Sequence, residues 1–531
     1  MTAATSTSNN STNKTVAWAI IAIAAAYGLS FLGGWPQKWT AAASGDHAAE
    51  PAAEDSDVAA PAATVPAEHE HAGAPPPAWT VAPFVLLLAA IAVLPLIPAA
   101  SHWWESNLHR FYVAGGLGLL TLAYYTFLHR EAIDLHWPAH SVVAPQTGVQ
   151  TGFFATVLAN AILQEFVPFI VLLFSLYTIA GGVRIEGDLR ADPLTNATFL
   201  LVGGLLASLV GTTGAAMLLI RPLLETNAER KNIAHTVIFF IFVVCNCGGC
   251  LLPLGDPPLF LGYLQGVSFL WTLSLWKEWL FVNGMLILLY CILDKAWFYR
   301  RETIRDIQRD VTQTRKLTIR GLKLNGALLA GIVLAVALLD PTKTFPGTSW
   351  HPWMYLREVV QLALVAISLL FGPSAPREKN GFNFAAIVEV AALFVGIFIC
   401  MQPALDILRA NGTYLVERFN MGPEKFYWAS GALSSVLDNA PTYLVFFQTA
   451  RGEAPALGPT AGVPEMLLTA ISLGAVFGGA MTYIGNGPNF MVKAIAEKSG
   501  VRMPSFFGYM VYSVLILLPI LALNCWLFLA K

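Results

Sequence analysis

The sequence predicts an all-α polytopic membrane protein made of two inverted-topology repeats, each with a re-entrant hairpin and a broken transmembrane helix. Three observations predict it. The chain of 531 residues is 56% hydrophobic and only 12% charged, with a mean hydropathy of +0.60, whereas an ordinary soluble domain carries about 25% charged residues. Apolar runs recur from end to end, and about 20 such residues are what a bilayer core roughly 30 Å thick requires of a helix. Finally, one stretch in the first half is echoed in the second without a gap.

The elements follow in chain order. Residues 1–15 are polar, and the apolar run Val16–Gly34 has only Lys14 ahead of it, so 1–40 reads as a transmembrane anchor or a cleaved signal peptide. Residues 41–79 are rich in Ala and Pro and carry Asp46, Glu50, Glu54, Asp55, Asp57, Glu68 and Glu70 with no Lys or Arg. Such a segment has too few apolar groups to fold and is expected to be a disordered linker, in which His69, Glu70 and His71 are solvated.

Beyond it, spans are expected near 80–100, 111–128, 157–182, 197–224, 233–262, 278–296, 324–339, 354–372, 383–405, 425–449, 464–496 and 504–529. They fall into a first half, 80–296, and a second half, 324–531. The connecting loop, 297–323, holds Arg300, Arg301, Arg305, Arg309, Arg315, Lys316, Arg320 and Lys323, so the positive-inside rule puts it in the cytoplasm. Threading outward from there, with 197–224 and 425–449 as hairpins that enter and leave on one side, puts the N-terminus inside and the C-terminus outside. The expected location is the inner or plasma membrane.

The repeat is specific. "CGGCLLPLGDPPLF" (Cys247 to Phe260) and "FGGAMTYIGNGPNF" (Phe477 to Phe490) match at Gly248/Gly478, Gly249/Gly479, Gly255/Gly485, Pro258/Pro488 and Phe260/Phe490, an offset of 230 residues. "GTTGAAMLL" (Gly211 to Leu219) falls opposite "LDNAPTYLV" (Leu437 to Val445) at an offset of 226, and Glu165 opposite Glu389 at 224. Because the threading enters the two copies from opposite sides, the repeat is inverted.

Gly and Pro break helices in mid-membrane, and freed backbone groups are tolerable there only when buried in protein or lining a wet cavity. The breaks "GDPP" and "GNGP" and the tips "GTTG" and "LDNAP" therefore mark a site, where half-helix ends supply partial charge and Asn, Thr and unwound carbonyls replace hydration. A carboxylate at a membrane helix centre costs on the order of 2.5–3.5 kcal/mol, so Asp256 and Asp438 are expected to be functional. The remaining ion- or substrate-binding candidates are Asn439, Thr212, Thr213, Asn486, Asn246, Gly255 and Gly485. Glu165 and Glu389 are proton-relay or structural candidates, favoured as buried by their matched positions, and Arg221 is expected to snorkel to the cytoplasmic surface.

The motifs "GTTGAAMLLIRPLL", "GGCLLPLGDPPLFLGYLQGV" and "LSSVLDNAPTYLVFF" resemble the ion transporter superfamily of sodium/proton antiporters, arsenite permeases, and citrate and dicarboxylate transporters. They look most like its bacterial branch of antiporter-like and citrate-transport proteins, over roughly residues 80–529. The resemblance implies a homodimer whose protomers each hold a scaffold and a transport domain and work by an elevator-like movement. The sequence departs from the dicarboxylate-transporter pattern of a Ser-Asn-Thr type tip, having Thr212–Thr213 and Asp438–Asn439 instead.

The function expected first is sodium/proton antiport. Burial raises a carboxylate's affinity for protons, so that protons and Na⁺ compete for one site. Asp438, Asn439 and Asp256 are the Na⁺ candidates, with Na⁺ and H⁺ as transported or coupling ions and no cofactor. The alternative is cation-coupled uptake of citrate or another carboxylate held by half-helix N-termini; no Lys or Arg stands in either motif core to pair with one. An enzyme would need a nucleophile with a base or a metal cluster, yet of ten histidines only His235 falls within a span of the repeat region. A channel would not need inverted broken helices. Net charge of −2 and the lack of basic–aromatic interleaving argue against nucleic acid. Cys245, Cys247, Cys250, Cys291, Cys400 and Cys525 lie in or beside apolar segments and suggest no disulfide framework. "CNCGGC" lacks a fourth ligand for a metal and reads as small-residue helix packing.

Overall fold

The computed structural model describes residues 2–44, 74–302, 315–452, 454 and 458–530. The linker residues Asp46 to His71, and Arg305 and Arg309 of the basic loop, lie outside the described residues. Residues 41–44, expected in the linker, instead complete a helix, Trp35–Ser44. Aromatic packing holds that helix down: Trp39 lies 5.3 Å from Trp137 and 6.5 Å from Tyr355, centroid to centroid, and Thr40 Oγ1 accepts from the Met354 amide at 2.7 Å.

The described chain is predominantly helical. Five helices are long and apolar enough to cross a membrane, Thr12–Leu32, Thr151–Ala180, Pro193–Val210, Trp271–Arg301 and Phe506–Phe528, or up to seven if each bent pair is one span. This is fewer than the expected spans because several of those are broken. The expected 233–262 span is Ala234–Val243, an irregular stretch with a short 3-10 turn, and then Pro257–Leu264. The expected 464–496 span is Glu465–Gly478, a second irregular stretch, and Gly487–Lys498. Both breaks fall where the Gly- and Pro-bearing repeats stand in the sequence. The first hairpin candidate is split at Gly211, between Pro193–Val210 and Thr212–Thr226, and the second before Asn439, between Pro423–Val436 and Asn439–Arg451.

Two short antiparallel strand pairs qualify the all-α expectation. The first joins β1 (Ile133–Leu135) to β2 (Ser141–Val143). In the second, β3 (Arg184–Asp188) pairs with β4 (Arg315–Arg320), which is drawn from the basic loop. Glu186 ties this strand pair to the short helix Ser374–Lys379 by accepting from Arg184, Arg320 and Lys379 at 3.0, 3.2 and 2.8 Å. The three-residue strands β1 and β2 have no room for an apolar alternation, whereas Leu317 and Ile319 do alternate with polar residues in β4.

The two broken helices seat in the same manner. A Cβ on Gly248 would meet Gly204 Cα at 2.5 Å, and one on Gly478 would meet Gly431 O at 2.4 Å. A Cβ on Gly249 would meet Gly255 O, and one on Gly479 would meet Gly485 O, both at 3.2 Å. Each broken helix thus packs backbone to backbone on the helix leading into the matching tip, a contact that only glycine permits. Ser208 Oγ donates to Gly248 O at 2.6 Å and Ser434 Oγ to Ala475 O at 2.6 Å, tying the same two pairs of segments.

The N-terminal helix Thr2–Leu32 packs along Leu356–Phe371. Tyr27 Oη donates to Met354 O at 2.9 Å, and Phe31 meets Trp353 edge-on at 4.4 Å. Aromatic pairs of this kind contribute about 0.5–1.5 kcal/mol beyond area burial.

Candidate ion and substrate site

Four helices begin close together: Thr212–Thr226, Pro257–Leu264, Asn439–Arg451 and Gly487–Lys498. The breaks supply two of these starts and the tips the other two. Asp256 and Asn486, matched in the repeat, hold the same extended conformation, φ −140 and ψ 141 against φ −153 and ψ 138.

The Asp256 carboxylate is buried at their meeting point. Its Oδ1 accepts from Thr212 Oγ1 and from Asn486 Nδ2, each at 3.1 Å, and its Oδ2 accepts from Asn439 Nδ2 at 2.6 Å. Asn486 Nδ2 also reaches Asn246 Oδ1 at 3.2 Å. The sequence explains why this carboxylate turns outward from its own helix. An Asp ahead of a helix ordinarily accepts from the second or third amide of the first turn. Here the first two residues, Pro257 and Pro258, have no N–H, the third, Leu259, gives its amide to the Asp256 carbonyl at 3.1 Å, and no side-chain cap bond forms. The carboxylate is left to donors from three other elements.

Asp438 behaves differently. Its carboxylate accepts from the Ala440 amide at 3.3 Å, capping its own helix, and makes no hydrogen bond within the Asp256 cluster. Asn439, the next residue, is the one that reaches Asp256. Thr213 also stays outside the cluster and lines a cavity of about 80 Å³ with Gly211, Thr212, Gly214 and Gly255. Gly255 and Gly485 act through the backbone, as Gly255 O accepts from the Thr212 amide at 2.8 Å.

Asn489 is a member that the motif reading missed. It is fully buried; its Oδ1 accepts from Asn246 Nδ2 at 2.8 Å, while its Nδ2 donates to Gly479 O and Thr482 O at 2.8 and 2.9 Å. The available signal was its opposite number at the 230-residue offset, Leu259, an apolar residue where the second copy has an amide.

The cluster contains no Lys or Arg among the described residues, so the carboxylate charge is met by neutral donors and by helix N-termini, each worth about half an elementary charge. Asn439 Oδ1 is buried with no partner among the described residues. A buried acceptor of that kind is uncommon, and beside a carboxylate it is an oxygen suited to a hard cation. The described residues hold no group of three His, Cys, Asp or Glu placed for a metal ion, the Cys245–Cys250 stretch included.

The two glutamates diverge. Glu165 is buried in a π-helical stretch, Ala159–Phe166, where its Oε1 accepts from Gln265 Nε2 at 3.3 Å and its Oε2 has no partner among the described residues. A polar chain continues from it. Gln448 Nε2 donates to Gln265 Oε1 at 3.1 Å, Arg409 Nε to Gln448 Oε1 at 3.4 Å, and Arg409 Nη1 to His136 Nε2 at 2.5 Å. Glu165 therefore meets the far ends of the helices that start at Asp256 and Asn439, about 13 Å of helical rise away. Glu389, contrary to its expected burial, is half-exposed and pairs with Arg110 at 2.9 Å. The same repeat position has a different neighbour in each half.

His136 lies in the loop between Asn107–Phe127 and Thr151–Leu158. Burial first, then Arg409, His140 and Arg451, hold its imidazole well below the ordinary value. The unfolded chain takes this proton near pH 6.5, while the folded chain resists it, so stability is lost as pH falls below that value. The thermal midpoint of the purified protein is expected to fall between pH 7 and pH 5, and His136→Gln to flatten that slope. Identical slopes for the two proteins would remove His136 as a cause.

A family model described as "Putative citrate transport" matches residues 126–529, a stretch that contains every residue of the cluster. No curated protein matches the chain.

Proposed function

The chain belongs to the family described as "Putative citrate transport", and from that premise we propose a secondary active transporter that exchanges Na⁺ for protons by alternating access. The carrying observation is Asp256, a buried carboxylate bonded from both halves, held by three neutral donors and with no cationic partner among the described residues. Such a group can accept either a proton or Na⁺, and the donors that stabilise its charge compete with the burial that opposes it. Asn439 Oδ1 and Asn246 Oδ1 are further oxygen ligands, and Asp438 stands next to Asn439 as the second acidic participant.

In this reading the paired helices at Gly211 and at Leu437–Asp438 are re-entrant hairpins of two inverted repeats. They move as a transport domain against a scaffold within a homodimer. The matched glycine seats and serine bonds in the two halves support the repeat, and the basic loop supports a cytoplasmic face at 297–323.

A second reading is cation-coupled uptake of citrate or another carboxylate. The family description favours it, as do the four helix N-termini around the site, which suit an anion. Flux in proteoliposomes separates the two. An imposed Na⁺ gradient is expected to drive proton movement with no carboxylate present, and Asp438→Asn to reduce it at least tenfold. Uptake of labelled citrate without any sodium/proton exchange would establish the second reading in place of the first.

A further inference from the structure

A second polar region lies away from the Asp256 cluster, where the helices Thr212–Thr226 and Gly487–Lys498 end and Ala234–Val243 begins. A basin of about 810 Å³ opens there, within the range of sites that hold small ligands. Arg221, Arg230, Lys231 and Arg502 line it, together with His235 and a single carboxylate, Glu225.

The acids nearby are already engaged. Glu225 accepts from Arg184 at 3.4 Å. Behind the wall, Asp294 accepts from Arg230 Nη1 at 3.0 Å and Nη2 at 2.5 Å, and from His235 Nε2 at 2.9 Å. Glu302 accepts from the amides of Lys231 and Asn232, both at 3.2 Å. Arg221 and Arg502, by contrast, form no hydrogen bond or ion pair among the described residues.

Two further features point to a ligand. Arg230 and His235 are both more than nine-tenths buried, yet Arg230 Nε and His235 Nδ1 have no partner among the described residues. Ring stacking on Phe298, at 3.8 Å between centroids, holds the imidazole in place. The helix Ala234–Val243 also starts at the basin with no side-chain cap, leaving first-turn amides available to an anion. The C-terminal ends of the other two helices oppose an anion, and part of the positive charge answers them.

We propose that this basin binds a multiply charged oxyanion, a polycarboxylate or a phosphate group. Guanidinium forks suit both geometries, and basic pockets between helix ends on a cytoplasmic face also take lipid headgroups. The site is separate from the Asp256 cluster and does not depend on what that cluster transports.

The test uses the full chain in nanodiscs. In phosphatidylcholine discs, titration calorimetry with pyrophosphate and with citrate is expected to give salt-sensitive binding, weakened at least tenfold by Arg221→Gln combined with Arg502→Gln. Asp256→Asn is expected to leave this binding in place. If the source is a headgroup, neither soluble probe binds, and cardiolipin instead co-purifies with the wild-type chain but not with the double variant. The proposal is overturned if neither probe nor lipid binds, if Asp256→Asn removes the binding, or if a double variant of wild-type elution profile binds as wild type does; the cations would then be positive-inside charge only.

Discussion

Asp256→Asn is expected to abolish transport, with initial flux in proteoliposomes falling at least a hundredfold, while the protein still elutes and melts as a folded chain. The substitution keeps the shape of the side chain but removes the charge for which Na⁺ and protons would compete. It also puts an amide NH₂ where one of the carboxylate oxygens accepted a donor. That oxygen's partners are either Thr212 and Asn486 or Asn439 alone. A stranded buried donor costs about 1–3 kcal/mol. Here the Thr212 hydroxyl can rotate and the Asn amides can flip to present an oxygen instead, so the stability loss should stay at the low end. Flux is measured per unit of protein recovered from size exclusion, which separates lost function from lost protein. Wild-type flux in Asp256→Asn would sink the assignment of this carboxylate as the ion-binding group.

The second large effect is on folding. A Cβ at Gly255 would lie 2.1 Å from Gly249 O and 2.9 Å from Ser208 Cα, and one at Gly485 would lie 2.7 Å from both Gly479 O and Ser434 O. All of these neighbours are backbone atoms, which cannot swing aside as a flexible side chain can. Overpacking a tight core costs about 1–3 kcal/mol and occasionally more. Gly255→Ala is expected at or above the top of that range, with little folded protein recovered, and Gly485→Ala somewhat below it. Gly487 is the control, standing in the same break with nothing within 4 Å of its Cβ position; Gly487→Ala should be nearly silent. Thermal stability in detergent ranks the three, and equal midpoints would mean that the two breaks are not closely seated.

Much of this architecture was legible because a break is written locally. Gly255, Pro257 and Pro258 in one copy and Gly485 and Pro488 in the other interrupt apolar runs, and a gapless repeat makes the interruption hard to assign to chance. Asp256, Asn439, Thr212, Asn486 and Asn246 stand in or beside the breaks and tips, and they meet. The direction of each side chain was less legible. Asp256 and Asp438 both precede a helix, and their different roles follow from whether the first turn has amides to offer. Two prolines and a Leu259 amide spent on the Asp256 carbonyl leave the Asp256 side chain none, while Ala440 supplies one to Asp438. Glu165 and Glu389 show where a repeat ceases to inform, since Gln265 and Arg110 reach them from elements that the motifs do not include. The β3–β4 pair joins segments more than a hundred residues apart, and nothing in either one specifies the other.

The helices Pro257–Leu264 and Asn439–Arg451 run side by side in constant register. Asn439 bonds Asp256 and Gln448 bonds Gln265, and both pairs are separated by 183 residues. Because they are joined at both ends, neither helix can open without breaking the other's bonds. Their amides should accordingly exchange with solvent as one cooperative block, with the protection of both set by whatever occupies the carboxylate at its base.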